Sequence, residues 1–250
     1  LYELGVGAGI FYVPHYPASN EQQTRYLGLP YFVYRGRIFK ADDDGGMRGE
    51  FLRGENYRFD LSASAAFSSD SSENEARRGM PDLDWIGELG PRWVYYLMRS
   101  SKYGHLDFNL SLRQVFSTDF KVFVDRGEVI QPNVAYSRRN IVGDWMDLFA
   151  KVSYFWASER LQDYFYEVPQ VYATAIRPAY DAKSGFMEFQ IDFALGVHLS
   201  KFWRLFFGAS HNFYHGTSNA ISPLHKANNT TSVGLGLLWT LHCSAQKTGQ

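Results

Sequence analysis

Between Met187 and Leu199 apolar and polar or small residues alternate without a break. Met187, Phe189, Ile191, Phe193, Leu195, Val197 and Leu199 fall on one set of positions. Glu188, Gln190, Asp192, Ala194, Gly196 and His198 fall between them. Successive side chains of a strand point to opposite faces, so this segment predicts a strand with one apolar and one polar face. As a helix it would scatter charge around its whole surface. The same period recurs at Tyr2–Ile10, Phe59–Phe67, Leu106–Leu112 and Thr231–Leu241.

The connections between these runs are of two kinds. Short, turn-like ones lie at Arg35-Gly36, Gly54-Glu55-Asn56, Ser100 to Gly104, Val142-Gly143-Asp144 and Ser200-Lys201. Long polar ones lie at 14–24, 68–82, 119–127, 157–185 and 216–230. Twelve strands are predicted, at 1–13, 25–34, 37–42, 47–54, 57–68, 83–99, 105–118, 128–141, 145–156, 184–199, 203–215 and 231–242. The third and fourth are short, and Asp42-Asp43-Asp44-Gly45-Gly46 between them reads as a bulge or a hairpin tip. Strands of about ten residues joined by alternating short and long connections match an outer-membrane barrel. The expected fold is therefore all-β: a closed antiparallel transmembrane β-barrel of about twelve strands, with short periplasmic turns and long outer loops. Residues 1–242 form one domain in this reading and 243–250 a C-terminal tail. An even strand count puts both termini on one side.

Composition narrows the alternatives. Hydrophobic residues make up 45% and aromatics 17% of the 250 residues, which is too much bulky apolar surface for a disordered chain. The net charge of −1 argues against a nucleic-acid partner. A helical span needs about 18 or more consecutive apolar residues, whereas the longest run is the six residues Trp93 to Met98. The single cysteine, Cys243, excludes a disulfide within the chain and a Cys-based zinc site. The chain starts at Leu1 with no charged and apolar leader before the first strand pattern. That start is what a mature exported protein whose signal peptide has been removed would show, and a trimmed chain would show it too.

A soluble barrel or sandwich would alternate in the same way. Three details favour the membrane. The polar positions are rich in Gly, Ala and Ser together with charges of both signs, as suits a packed polar lumen. Aromatics such as Tyr12, Tyr26, Trp93, Tyr154, Trp156, Trp203 and Trp239 collect near strand ends, where interface girdles sit. Loops of the length of 157–185 and 216–230 are also unusual in a compact soluble domain. The residues expected to face the lumen are Arg58, Asp60, Asp107, Arg113, Glu188, Asp192, His198 and Arg204. Acids and bases are comparable there, so ion pairs across the lumen and a narrow or plugged interior are expected.

No catalytic, cofactor or metal site is predicted. Ser210 and His211 are adjacent and so point to opposite faces of a strand. His211 and His215 share a face but stand about 13 Å apart at strand rise, too far for one ion; with His225 they read better as interfacial residues. Asp42, Asp43 and Asp44 lack the further oxygen ligands of a calcium loop. Arg77-Arg78 in an outer loop could meet lipopolysaccharide phosphates, and Arg138-Arg139 could pair in the lumen with Asp147 or Glu188.

The order of several short motifs resembles the MipA/OmpV family of outer-membrane proteins. These are Gly5-Val6-Gly7-Ala8-Gly9, Tyr16, Leu29-Pro30, Tyr34-Arg35-Gly36, Glu88-Leu89-Gly90-Pro91, Tyr180-Asp181-Ala182-Lys183-Ser184-Gly185, Trp203-Arg204-Leu205 and Ser222-Pro223-Leu224. The segment 37–56 and the loop 68–82 match least. The resemblance implies a barrel in the outer membrane of a Gram-negative bacterium, in contact with lipid and lipopolysaccharide. It further implies a non-enzymatic scaffold joining a lytic transglycosylase of the MltA type to a penicillin-binding peptidoglycan synthase. The family has no agreed catalytic residues to carry over. A channel or adhesin acting through the lumen or the loops 157–185 and 216–230 is the alternative. A lipid-modifying or proteolytic barrel would instead need a convergent His/Ser/Asp set at the outer rim.

Overall fold

A computed structural model describes residues 2–34, 39–42, 46–100, 102 and 104–243. Its strands are β1 (Tyr2–Pro14), β2 (Gln22–Tyr34), β3 (Phe39–Asp42), β4 (Gly46–Arg53), β5 (Tyr57–Ala66), β6 (Trp85–Ser100), β7 (Gly104–Thr118), β8 (Phe123–Arg138), β9 (Met146–Ala157), β10 (Gly185–His198), β11 (Trp203–Phe213) and β12 (Asn229–Cys243). One helix, α1 (Glu159–Tyr166), and two 3-10 turns, Ser71–Glu73 and Gln170–Tyr172, lie in the connections. The strands form one twelve-stranded sheet, in the order β2-β1-β12-β11-β10-β9-β8-β7-β6-β5-β4-β3, and every described ladder is antiparallel.

The expected closed barrel is corrected here. The hydrogen-bonded order begins at β2 and ends at β3, and among the described residues no ladder joins these two edges. β3 has four residues against the thirteen of β2, so it offers little edge to pair with. The sheet does curl. At one end Arg25 Nη2 of β2 donates to the carbonyl of Ser68, just beyond β5, at 2.9 Å. Phe11 of β1 meets Phe67 with ring centroids 5.4 Å apart. The two ends of the sheet thus approach through side chains and not through a ladder. The turn at Arg35-Gly36, residues 43–45 of the acidic run and the tail beyond Cys243 lie outside the described residues.

The long connections 15–21, 67–84, 158–184 and 214–228 emerge at one end of the sheet, beside the short turn 119–122, and the turns 54–56 and 199–202 at the other. On the outward face the apolar set is exposed: Leu4, Val6 and Ile10 on β1, and Val233, Leu235, Leu237 and Leu241 on β12. Trp203 and Trp239 are register partners and stack with an interplanar angle of 2°. An apolar surface of this extent does not face water in a soluble monomer; it is the lipid-facing side of a membrane sheet.

One connection departs from the sequence reading. The stretch 119–127 is only a turn at its start, and β8 already begins at Phe123. Gly127, the last residue of that predicted connection, sits at φ +86° beside a register shift opposite Val115/Phe116. It accommodates a bulge within the strand, a conformation that a residue with a Cβ rarely adopts.

The inward face changes character along each strand. On β7 it runs Asp107, Asn109, Ser111, Arg113 and then Val115; on β9 it runs Lys151, Ser153 and then Phe155 and Ala157. The polar part lies toward the short turns and the apolar part toward the long loops. There Ile86, Val115, Val129, Ala157 and Met187 are buried against Tyr16 and Ala18, Met80 and Leu83, Leu161, Phe165, Tyr166, Val168 and Ala182, and Tyr214 and Leu224. Four long loops therefore fold into one cap with its own hydrophobic core.

Candidate functional site

Below the cap the curled sheet encloses a polar cavity of about 520 Å³, lined from β5 to β11. Phe155 lines the cavity and also packs against the cap core, so the cap forms its roof. The lining reaches Arg138, Arg139, Asp147, His198 and Arg204 at the short-turn end.

The charges are placed by strand parity and joined by register. Asp60 of β5 is opposite Arg92 of β6. Arg92 donates Nε to Oδ1 at 2.7 Å and Nη2 to Oδ2 at 2.9 Å, and Arg58 donates Nε to Oδ2 at 2.8 Å. Arg58 Nη1 also reaches the Tyr96 hydroxyl at 3.1 Å. Arg113 donates to Glu88 Oε2 at 2.7 Å. Lys151 stands 3.1 Å from Asp192, which also accepts from Ser210. His198 Nε2 and Asp147 Oδ2 are 2.9 Å apart, and the second Asp147 oxygen accepts from the Asn140 backbone. Glu188 lies under the cap and accepts from Asn212 at 2.8 Å.

The sequence reading named eight residues here. Arg58, Asp107, Arg113, His198 and Arg204 line the cavity. Asp60 and Asp192 stand behind the lining as ion-pair partners, and Glu188 is in the roof region. Arg138, Arg139 and Asp147, which the sequence reading put together as a lumen pairing, also line the cavity, and so do Arg92 and Lys151, which it did not name. Strand parity would have selected Arg92 and Lys151. The other expected groupings do not assemble as ligand sites. His211 Nδ1 contacts Thr231 Oγ1 at 2.8 Å, and the His225 ring lies against Tyr214. Among the described residues no three His, Cys, Asp or Glu groups come together to hold a metal ion.

Arg77 corrects the lipopolysaccharide reading. Its side chain is buried inside the cap, whereas Arg78 is exposed. Cross-loop bonds of the same kind run from Tyr16 Oη to the Leu224 carbonyl at 2.8 Å and from Ser222 Oγ to the Tyr166 carbonyl at 2.7 Å. Fully buried Asn219 donates to Gln162 Oε1 and the Lys183 carbonyl, and accepts from Tyr180 and the Lys183 N–H.

A family model described as MltA-interacting protein MipA matches residues 6–241. The chain belongs to this family. No curated protein matches it. Among solved structures it is similar to the NanC porin in a rhombohedral crystal form, at 9% identity and a TM-score of 0.43, covering 95% of this chain and 100% of that one. It is similar to a bacterial polysaccharide outer-membrane secretin at 8% identity and a TM-score of 0.44, covering 97% and 99%. It is similar to Pseudomonas putida OprB at 8% identity and a TM-score of 0.42, covering 96% and 94%. MipA family membership and the exposed apolar face together place the chain in the outer membrane.

One group in the cap gives a pH dependence. Burial, followed by Glu167, Glu159 and Asp181, pushes the Asp163 carboxyl up to about 6 from 3.8, and its Oδ1 is buried without a hydrogen bond. A raised carboxyl binds more protons in the folded cap than in the unfolded chain between these values. Its contribution is fully present below about 3.8 and lost as pH rises through about 6. Asp163→Asn should therefore stabilise the cap on the order of 1 kcal/mol at pH 8 and leave it unchanged at pH 4. Hydrogen exchange over 158–184 at both pH values checks this; equal protection gains at both would rule out the ionisation argument.

Proposed function

We propose that the protein works through its interior, as a capped pathway or receptacle for a small polar solute, and that it is not an enzyme. The observation that carries this reading is the charged cavity itself. Its volume falls in the range of small-molecule sites, and its polar lining continues to the short-turn rim, which is the periplasmic side in this topology. The loops 157–185 and 216–230 then serve as the cap, and opening of the cap is the gating step. Reconstitution into planar bilayers tests the reading. Stepwise conductance is expected, with more frequent open events when Arg77 is replaced and the cap loosens. Silence in both the wild type and the Arg77 variant would overturn it.

The family's description favours one second reading, a scaffold for a lytic transglycosylase of the MltA type and a peptidoglycan synthase. The short turns offer it little area against the roughly 800 Å² per partner of a standard interface. Crosslinking in cells with identification of the captured proteins tests it. Recovery of both enzymes above an unrelated outer-membrane control is the expected result of that reading, and recovery of lipopolysaccharide and assembly factors alone would sink it.

A further inference from the structure

We infer that the middle of the cavity binds a neutral, polyhydroxylated solute of mono- or disaccharide size. The inference rests on the interior being the working surface, as proposed above, and adds the class of solute. Strand register sets uncharged hydrogen-bonding side chains in rows on the inward face. Asn109 of β7 is opposite Asn133 of β8, which is opposite Ser153 of β9, which is opposite Gln190 of β10. One step nearer the cap, Ser111 is opposite Gln131. Adjacent strands lie about 4.8 Å apart, so four strands carry amides and hydroxyls across roughly 14 Å of wall.

These groups are held in place but not used up. Asn109 Nδ2 donates to Asn133 Oδ1 at 2.8 Å, which leaves one amide oxygen and one amide nitrogen of the pair to meet a solute. Ser111 and Gln131 are 1% and 5% exposed, and neither side chain bonds to another described residue. Both line the cavity, and their polar atoms are not sealed off from it. The charges around these rows are already matched. Arg58 and Arg92 share Asp60, Arg113 has Glu88 and Lys151 has Asp192. Asp107, on the same wall, brings the carboxylates level with these cations. Arg139 and Arg204, at the short-turn end, have partners as well. A charged solute would have to break a pair or enter without a counter-charge, and burying an unpaired charge is costly. A hydroxyl both donates and accepts, so a polyol meets the amides, Ser111 and Gln131 without disturbing an ion pair. Phe155 in the roof and Phe206 nearer the short turns add apolar faces for its C–H edges. A few placed polar groups beside apolar walls are what small-molecule sites present.

Saturation-transfer NMR on the purified protein, in a detergent without a sugar headgroup, tests the site with glucose and maltose. Glucuronate and glucosamine serve as charged analogues of the same ring. At least one neutral sugar should saturate more strongly than either analogue, and its binding should not change as salt is raised. Ser111→Ala/Gln131→Ala should weaken that binding about fivefold or more, and it removes no side-chain hydrogen bond that the fold uses. Retained heat-modifiable migration on gels shows that the variant is folded; if it is not, Gln131→Leu alone is read in its place, with the same expected loss. Saturation by neither sugar, equal or stronger saturation by a charged analogue, or binding unchanged in the variant would overturn the inference. Sugar binding in a protein that never conducts would remove the pathway reading and leave this site standing. Conductance without sugar binding would remove this site and leave the pathway.

Discussion

Replacing Arg77 with alanine should release the cap while the sheet stays folded. Arg77 is 3% exposed and sits where three loops meet. Its Nη1 donates to the Phe165 carbonyl at 3.3 Å, its Nη2 to the Pro81 carbonyl at 3.1 Å and its Nε to Ser71 Oγ at 3.3 Å. The guanidinium carbon lies 5.7 Å from the centre of the Tyr16 ring. Burial pushes its pKa down, yet an arginine remains charged at any ordinary pH. Backbone carbonyls and a ring face thus hold the cation in place, and no carboxylate is among these contacts. Truncation leaves a cavity and strips these buried acceptors of a charged donor, at a cost of about 3 kcal/mol. Lysine should not rescue, because one ammonium cannot reproduce a planar fork aimed at separate acceptors. Limited proteolysis should then cut within 158–184 many times faster than in the wild type. Arg78→Ala, on the exposed neighbour, should change nothing. Unchanged cutting in Arg77→Ala would mean that the apolar core alone holds the loops.

This part of the molecule was the least legible in the sequence. Period-two alternation is a local signal, and it located β1, β5, β7, β10 and β12 to within a few residues. The same parity put Arg58, Asp107, Arg113, His198 and Arg204 on the cavity side. The cap depends on contacts far apart in the chain, such as Tyr16 with Leu224 and Arg77 with Phe165. No local pattern encodes those, so a polar-looking loop arginine read as a solvent-facing lipopolysaccharide contact. A trace of the cap was present all the same, in the switch of the inward face from Arg113 to Val115 and from Ser153 to Phe155. The connection 119–127 was drawn too long for a different reason: a glycine such as Gly127 marks a bulge inside a strand as readily as the edge of a loop. Sheet closure depends on whether two edges pair, and among the described residues the edge of β2 that faces away from β1 has no ladder to the short β3.

Neutralising Asp60 should destabilise the sheet itself and change the field inside it. Asp60 is 0% exposed and takes three guanidinium hydrogen bonds from two arginines on its own and the adjacent strand. Asp60→Asn keeps the shape but leaves Arg58 and Arg92 facing each other without their shared anion. Removing one partner of a buried ion pair costs about 3–5 kcal/mol; both arginines are partly exposed to the cavity, so the lower end of that range is expected here. Arg58 also loses part of what holds it beside Tyr96, whose ring carries the Arg99 guanidinium at 3.3 Å. Unfolding in urea, followed by loss of heat-modifiable migration, measures the cost. The origin of the loss can be separated by adding Arg92→Met. If the uncompensated cation is the cause, Asp60→Asn/Arg92→Met should recover most of the stability. If the double variant is worse than the single, the lost hydrogen bonds dominate.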